Sequence, residues 1–118
     1  MDKRIKKTKK KLKDTLTMMM GEQHFQSITV KDLTEKAQIN RGTFYLHYQD
    51  VSHMLSVLEE EILADLIKIV EKNRVVGSEY RVMPTLIELV EYLHQDLPFC
   101  KALVGPHGDI NFIDMLKK

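Results

Sequence analysis

Two capped helical runs with only two residues between them constrain this chain more than any other feature. Within residues 28–48, Ile28 and Thr29 precede one run, and Ile39 and Asn40 precede the next. Thr29 and Asn40 each carry a side-chain oxygen that can accept from the free N–H groups of a first helical turn. Asp32, three residues past Thr29, makes a variant capping box. Ile28 with Leu33, and Ile39 with Phe44, occupy the paired positions of a hydrophobic staple, which sets the angle at which the chain enters a helix. Val30, Leu33 and Ala37 form the buried side of the first run. Phe44 and Tyr48, with Ile39, form that of the second. Two short helices with fixed entry angles and a connection of three or four residues make a helix-turn-helix.

The rest of the chain also reads as helix, so the predicted fold class is all-α. Ile5, Leu12, Leu16, Met19 and Met20 recur at helical spacing over residues 4–20. Lysines fill most of the remaining positions, Met18 is expected outside, and Gly21 is a suitable stop. Phe25 and Ile28 read as core residues of the connection. Asp50 caps a long helix running to about Asn73, with Met54, Leu58, Ile62, Leu66 and Ile69 along one face. Val75-Val76-Gly77-Ser78 is a break. Pro84 opens a helix to about Asp96, with Leu86, Leu89, Val90 and Leu93 expected inward. A short helix over 98–104, a turn at Gly105–Asp109 and a last helix from Ile110 complete the pattern. Phe112, Ile113 and Leu116 then need something to pack on. The predicted organisation is a DNA-binding domain over 1–50 and a helical regulatory domain over 51–118.

Charge is distributed unevenly. Residues 1–50 hold 11 Lys and Arg against 6 Asp and Glu, whereas residues 51–118 hold 7 against 11. A basic front joined to an acidic back is the asymmetry expected when only the front meets a polyanion. No apolar run is long enough for a membrane span, and no apolar stretch follows the basic N-terminus as in a secretory signal. The lone cysteine, Cys100, excludes an internal disulfide and reads as a buried structural thiol, consistent with a cytoplasmic setting. Glu59, Glu60, Glu61 and Asp65 read as a solvated helix face. His94, Asp96 and Cys100, or His107 and Asp109, match no zinc spacing. His53 is expected exposed near a helix start. No nucleophile–base pair and no Gly-rich phosphate loop is present, so neither an enzyme nor a cofactor is expected.

The second short helix carries Arg41, Thr43, Tyr45 and His47 on or near its outer side. Docked end-on in a major groove, such a helix presents its first turn to base edges. Arg41 can donate two bonds to guanine O6 and N7, worth about 1–3 kcal/mol of discrimination. Gly42 leaves the surface bare for close approach, and Thr43 shares that turn. Tyr45 and His47 are placed to reach phosphates, which set register without reading sequence. Thr29 and Lys31 can hold a phosphate across the groove, and the lysine-rich first helix adds a salt-sensitive term. Asn40, as the cap, completes this set. Met54, Leu58, Ile62, Leu66 and Leu93 are candidate lining for an effector pocket or plain core.

The stretch "ITVKDLTEKAQINRGTFYLHYQD" resembles the DNA-binding signature of TetR/AcrR-type transcriptional regulators. "RGTFYLHY" is similar to that family's recognition helix. The resemblance covers residues 4–72, and "PFCKALVGPHGDINFIDMLKK" is similar to the C-terminal domain of Firmicutes members. It implies a ligand-responsive regulator, typically a repressor, acting as a homodimer on a palindromic operator. Its two recognition helices would lie about 34–36 Å apart. It also implies a small-molecule effector bound in the C-terminal helices. Gln38 stands where the family commonly has Gly, which implies a left-handed residue there. Val51 stands where the family usually has Lys, which implies one phosphate contact fewer. Two further helices that build the family's dimer interface are missing, so the chain is expected to be either a fragment or a truncated protein that dimerises differently or not at all. The alternative is a protein-interaction module whose DNA reader has decayed and which acts through a partner regulator.

Overall fold

The computed structural model describes residues 3–75, 79–80 and 82–116. Helix α1 spans Lys3–Met20 and is followed by a single 3₁₀ turn, Phe25–Ser27. Helices α2 (Val30–Ala37), α3 (Arg41–Tyr45) and α4 (Val51–Lys72) follow. Two residue pairs, Arg74 with Tyr80 and Val75 with Glu79, form a minimal antiparallel ladder between β1 (Arg74–Val75) and β2 (Glu79–Tyr80). Helices α5 (Val82–Gln95), α6 (Leu97–Val104) and α7 (Ile110–Leu116) complete an all-α fold. Residues 76–78 of the expected break, and Lys117-Lys118, lie outside the described residues, as do the side chains of Ile113 and Leu116.

One apolar core runs through the molecule. Leu12, Leu16, Met19 and Met20 of α1 meet Phe25, Ile28, Leu33, Ala37, Phe44 and Tyr48. The same cluster continues through Val51, Met54, Leu55, Leu58 and Ile62 of α4 to Phe99, Leu103 and Phe112. Both members of each expected staple belong to this core or pack against it. Met18 is exposed as expected, while Ile5 is only half-buried, near the start of α1.

The C-terminal helices are tied to the N-terminal ones by polar contacts that local patterning does not encode. The Asp96 carboxylate pairs with the Lys13 ammonium, which also lies 4.8 Å from the centre of the Phe99 ring. Lys13 is thus a half-buried strut at the surface rather than a fully solvated lysine. His107 Nδ1 donates to the Met20 carbonyl at 2.8 Å, and the Phe25 N–H donates to the His107 carbonyl at 3.0 Å. The turn over residues 105–109 therefore closes on the end of α1. Gly108 permits this approach, since a Cβ there would stand 1.9 Å from the Leu103 carbonyl oxygen.

Three expectations are corrected. Leu86, Val90 and Leu93 face outward, because α5 packs on α4 through Thr85, Glu88, Leu89 and Tyr92 instead. Polar bonds hold it in that orientation. The Tyr92 hydroxyl donates to Asp65 Oδ2 at 2.7 Å, and Lys72 pairs with Glu88 at 2.8 Å. Glu59 is not part of a solvated face. It is 3% exposed, and among the described residues Oε2 has no hydrogen-bond partner. Burial, then the neighbouring Asp109 and Glu60, push its carboxyl up to about 8. Cys100 is half-buried rather than enclosed, and burial raises its thiol above the ordinary range.

Candidate nucleic-acid interface

The α2–α3 unit is built from its caps inward. Thr29 Oγ1 accepts from the Asp32 N–H at 3.0 Å, and Asn40 Oδ1 accepts from the Gly42 N–H at 2.7 Å. Each satisfies a donor that the first helical turn leaves free. Between the helices Gln38 adopts φ 58°, ψ 44°, the left-handed conformation that ends α2. Its N–H and that of Ile39 then bond back to the last carbonyls of α2, at 3.2 Å from Glu35 and 2.9 Å from Thr34. A non-glycine residue carries this conformation at a cost of about 1 kcal/mol. Thr34, buried, donates to the Val30 carbonyl at 2.8 Å and leaves no polar orphan beneath the turn.

Helix α3 ends at Tyr45, shorter than the run to Tyr48 expected, and with the turn that follows it divides its side chains between core and surface. Phe44 is fully buried and Tyr48 is 4% exposed. Their rings pack at 5.6 Å between centroids, and Tyr48 also meets His47 and His53 at 6.2 Å. Arg41, Gly42 and Tyr45 are exposed, whereas Thr43 and His47 are half-buried at the edges. Tyr45 stands edge-on to Phe44, which steadies the outward phenol. The structure thus brings Asn40, Arg41, Gly42, Thr43, Tyr45 and His47 onto one short segment. Thr29 and Lys31 lie exposed at the start of α2.

One feature went unnoticed in the sequence, and the expected exposure of His53 is corrected. Leu46 is 79% exposed beside Tyr45, an apolar group on the same outer surface. It falls off the Phe44/Tyr48 stripe, which was the available signal. His53 is half-buried, with Nδ1 accepting from the Gln49 N–H at 3.0 Å, while Asp50 caps α4 through the His53 N–H at 2.7 Å. These two bonds lock the corner between α3 and α4. Val51 lies in the core at this corner, so its position offers no side chain to solvent.

The basic face of α1 adjoins the turn. Arg4, Lys7, Lys10 and Lys11 share a shallow concavity with Ile39, the residue just before the cap of α3. Lys10 is partly neutralised by Asp14 at 2.7 Å, a pair exposed enough to contribute little to stability.

The proposed pocket residues do not surround one cavity. Met54 is fully buried in the core, Leu66 is half-buried and Leu93 is exposed. Leu58 and Ile62 do line a cleft of about 510 Å³ between α1, α4, α5 and α6, which also contains Tyr48, Tyr92 and Cys100. Its charged walls are largely occupied, by Lys10 with Asp14, Lys13 with Asp96 and Tyr92 with Asp65. Among the described residues no three His, Cys, Asp or Glu side chains are grouped to hold a metal, and no helix is long and apolar enough to cross a membrane.

No family model matches the chain. A 67-residue stretch, 56% of the chain, is 33% identical to an uncharacterised HTH-type transcriptional regulator, YxbF, of Bacillus subtilis (strain 168). That stretch spans only 18% of the relative's length. The chain is thus distantly related to a helix-turn-helix-type transcriptional regulator.

Proposed function

We propose that this protein is a TetR-like, sequence-specific DNA-binding regulator that reads duplex DNA with α3. One observation carries the reading: α3 is anchored by buried Phe44 and, just past its end, buried Tyr48, while Arg41, Gly42 and Tyr45 are all exposed. Arg41 and Thr43 face bases, with Gly42 allowing close approach. Thr29, Lys31, Tyr45 and His47 hold phosphates. The basic face of α1 beside the turn supplies the salt-dependent part of affinity. The relative's description as an HTH-type transcriptional regulator supports the same reading.

In the finer form of the proposal, residues 1–50 read DNA and residues 51–118 regulate. Two copies bind a palindromic operator as a repressor in the cytoplasm. A small-molecule effector in the C-terminal helices shifts the spacing of the two readers, through unequal affinity for the two states.

The test is selection of duplexes from a random pool by the 118-residue chain, followed by affinity at two salt concentrations. An enriched palindrome with a steep salt slope is expected. No enrichment would overturn the reading and favour the protein-interaction alternative, to which the outward apolar face of α5 also lends support.

A further inference from the structure

We infer that Leu46 reads the C5-methyl group of a thymine in the major groove, and so sets base preference at a position that Arg41 does not reach. This contact presupposes the DNA-binding reading above and adds a specificity-determining residue to it. Leu46 is 79% exposed, more than any other large apolar side chain among the described residues. A single exposed leucine ordinarily signifies nothing. What distinguishes this one is its direction. Leu46 has helical backbone angles, φ −67° and ψ −24°, and its N–H bonds to the Thr43 carbonyl at 3.2 Å. The Tyr48 N–H bonds to the Phe44 carbonyl at 3.0 Å, so the helical turn runs on past the end of α3. Leu46 stands midway between Phe44 and Tyr48 in sequence, which puts it about 160° from each around the helix. Those two are the buried anchors. Leu46 therefore points away from the core, along the centre of the outward surface.

Its neighbours leave that centre open. Gly42 lies about one turn earlier on the same side and has no side chain to stand beside it. Helical Cα–Cβ bonds tilt toward the N-terminus, so Leu46 leans toward Gly42 and the first turn of α3. Exposed Arg41 and Tyr45 flank it on one side, half-buried Thr43 and His47 on the other. A docked protein would call for a contiguous apolar patch of a few hundred Å². Here one leucine, with the Tyr45 ring beside it, stands among polar and cationic groups. A duplex groove matches that surface, since it offers apolar groups one at a time between acceptors and phosphates.

The chemistry of leucine selects the base. Leucine has no donor and no acceptor, and the only apolar group that base pairs present in the major groove is the thymine C5-methyl. Against the N7 and O6 of guanine, or the N7 and N6 of adenine, Leu46 would strip water from polar edges and return no bond. Cytosine lacks the methyl group. Arg41 lies roughly 7.5 Å further back along the helix axis. Base pairs are stacked about 3.4 Å apart, so the thymine and the guanine of Arg41 belong to different base pairs.

The test starts from the duplex enriched by the full 118-residue chain. Each thymine is replaced in turn by deoxyuridine, which deletes only the C5-methyl, and affinity is measured by fluorescence anisotropy. At one thymine per half-site the deletion should weaken the parent about fourfold, the value of one buried methyl group. Leu46→Ala should bind the thymine and deoxyuridine duplexes equally at that position. It should keep the parent's circular dichroism and melting temperature, because the side chain is exposed. With cytosine placed there, 5-methylation should strengthen binding by the parent and not by Leu46→Ala. An enriched half-site in which no thymine methyl matters, or a loss that persists unchanged in Leu46→Ala, would overturn the contact and leave the DNA reader standing. No enriched duplex at all would overturn both.

Discussion

At the scale of single residues, what matters is whether a polar group has a partner once it is covered. Glu59 is the clearest case. Its folded carboxyl, pushed up to about 8, binds its proton more tightly than an unfolded carboxyl near 4.5 does. The folded state therefore holds the extra proton between those values, and stability falls as pH rises through that window. Below about 4.5 both states are protonated and this penalty vanishes. Glu59→Gln should flatten the dependence and raise stability at pH 8 by about 1–3 kcal/mol, since an amide can donate to Asp109 without a buried charge. Urea unfolding at pH 5 and pH 8 measures both effects. On the outer surface, Arg41→Ala should relax base preference at one position per half-site. His47→Ala should weaken binding to all duplexes alike. Equal loss on every duplex for Arg41→Ala would contradict its place at a base edge.

At the scale of elements, α2 and α3 are too short to be stable as isolated helices, so their ends and their packing decide whether they form. Asn40→Ala removes the acceptor for the Gly42 N–H and should cost about 0.5–2 kcal/mol in chemical unfolding, with DNA binding reduced as α3 frays. Gln38→Gly should act oppositely. It relieves the left-handed strain but adds freedom to the unfolded chain, so a net gain of no more than about 1 kcal/mol is expected from the same unfolding experiment. Both caps and both staples were legible in the sequence, because each involves residues within one or two helical turns, whereas the left-handed conformation of Gln38 was implied only by the family resemblance. The facing of α5 was not legible. Its hydrophobic period is as consistent with an outward stripe as with an inward one.

At the scale of the whole molecule, the helix-turn-helix and the C-terminal helices share one core and are cross-tied at the end of α1. Gly108→Ala should break that tie, because its Cβ has no room against the Leu103 carbonyl. A loss of about 1–3 kcal/mol is expected from the displaced turn. It should appear as increased amide exchange in residues 20–25 and 105–109, which share the His107 bonds. The sequence by itself determined which segments are helical, where α2, α3 and α4 begin, and which residues of α3 lie off its buried stripe. These are local matters of capping and periodicity, complete within a few residues. Tertiary structure alone decided that Lys13 lies over Phe99 to pair with Asp96, that Glu59 is sealed beside Asp109, and that α5 turns its apolar side outward. Each depends on a partner far along the chain, as Tyr92 does on Asp65, and no local pattern specifies a contact between groups that only the packed fold brings together.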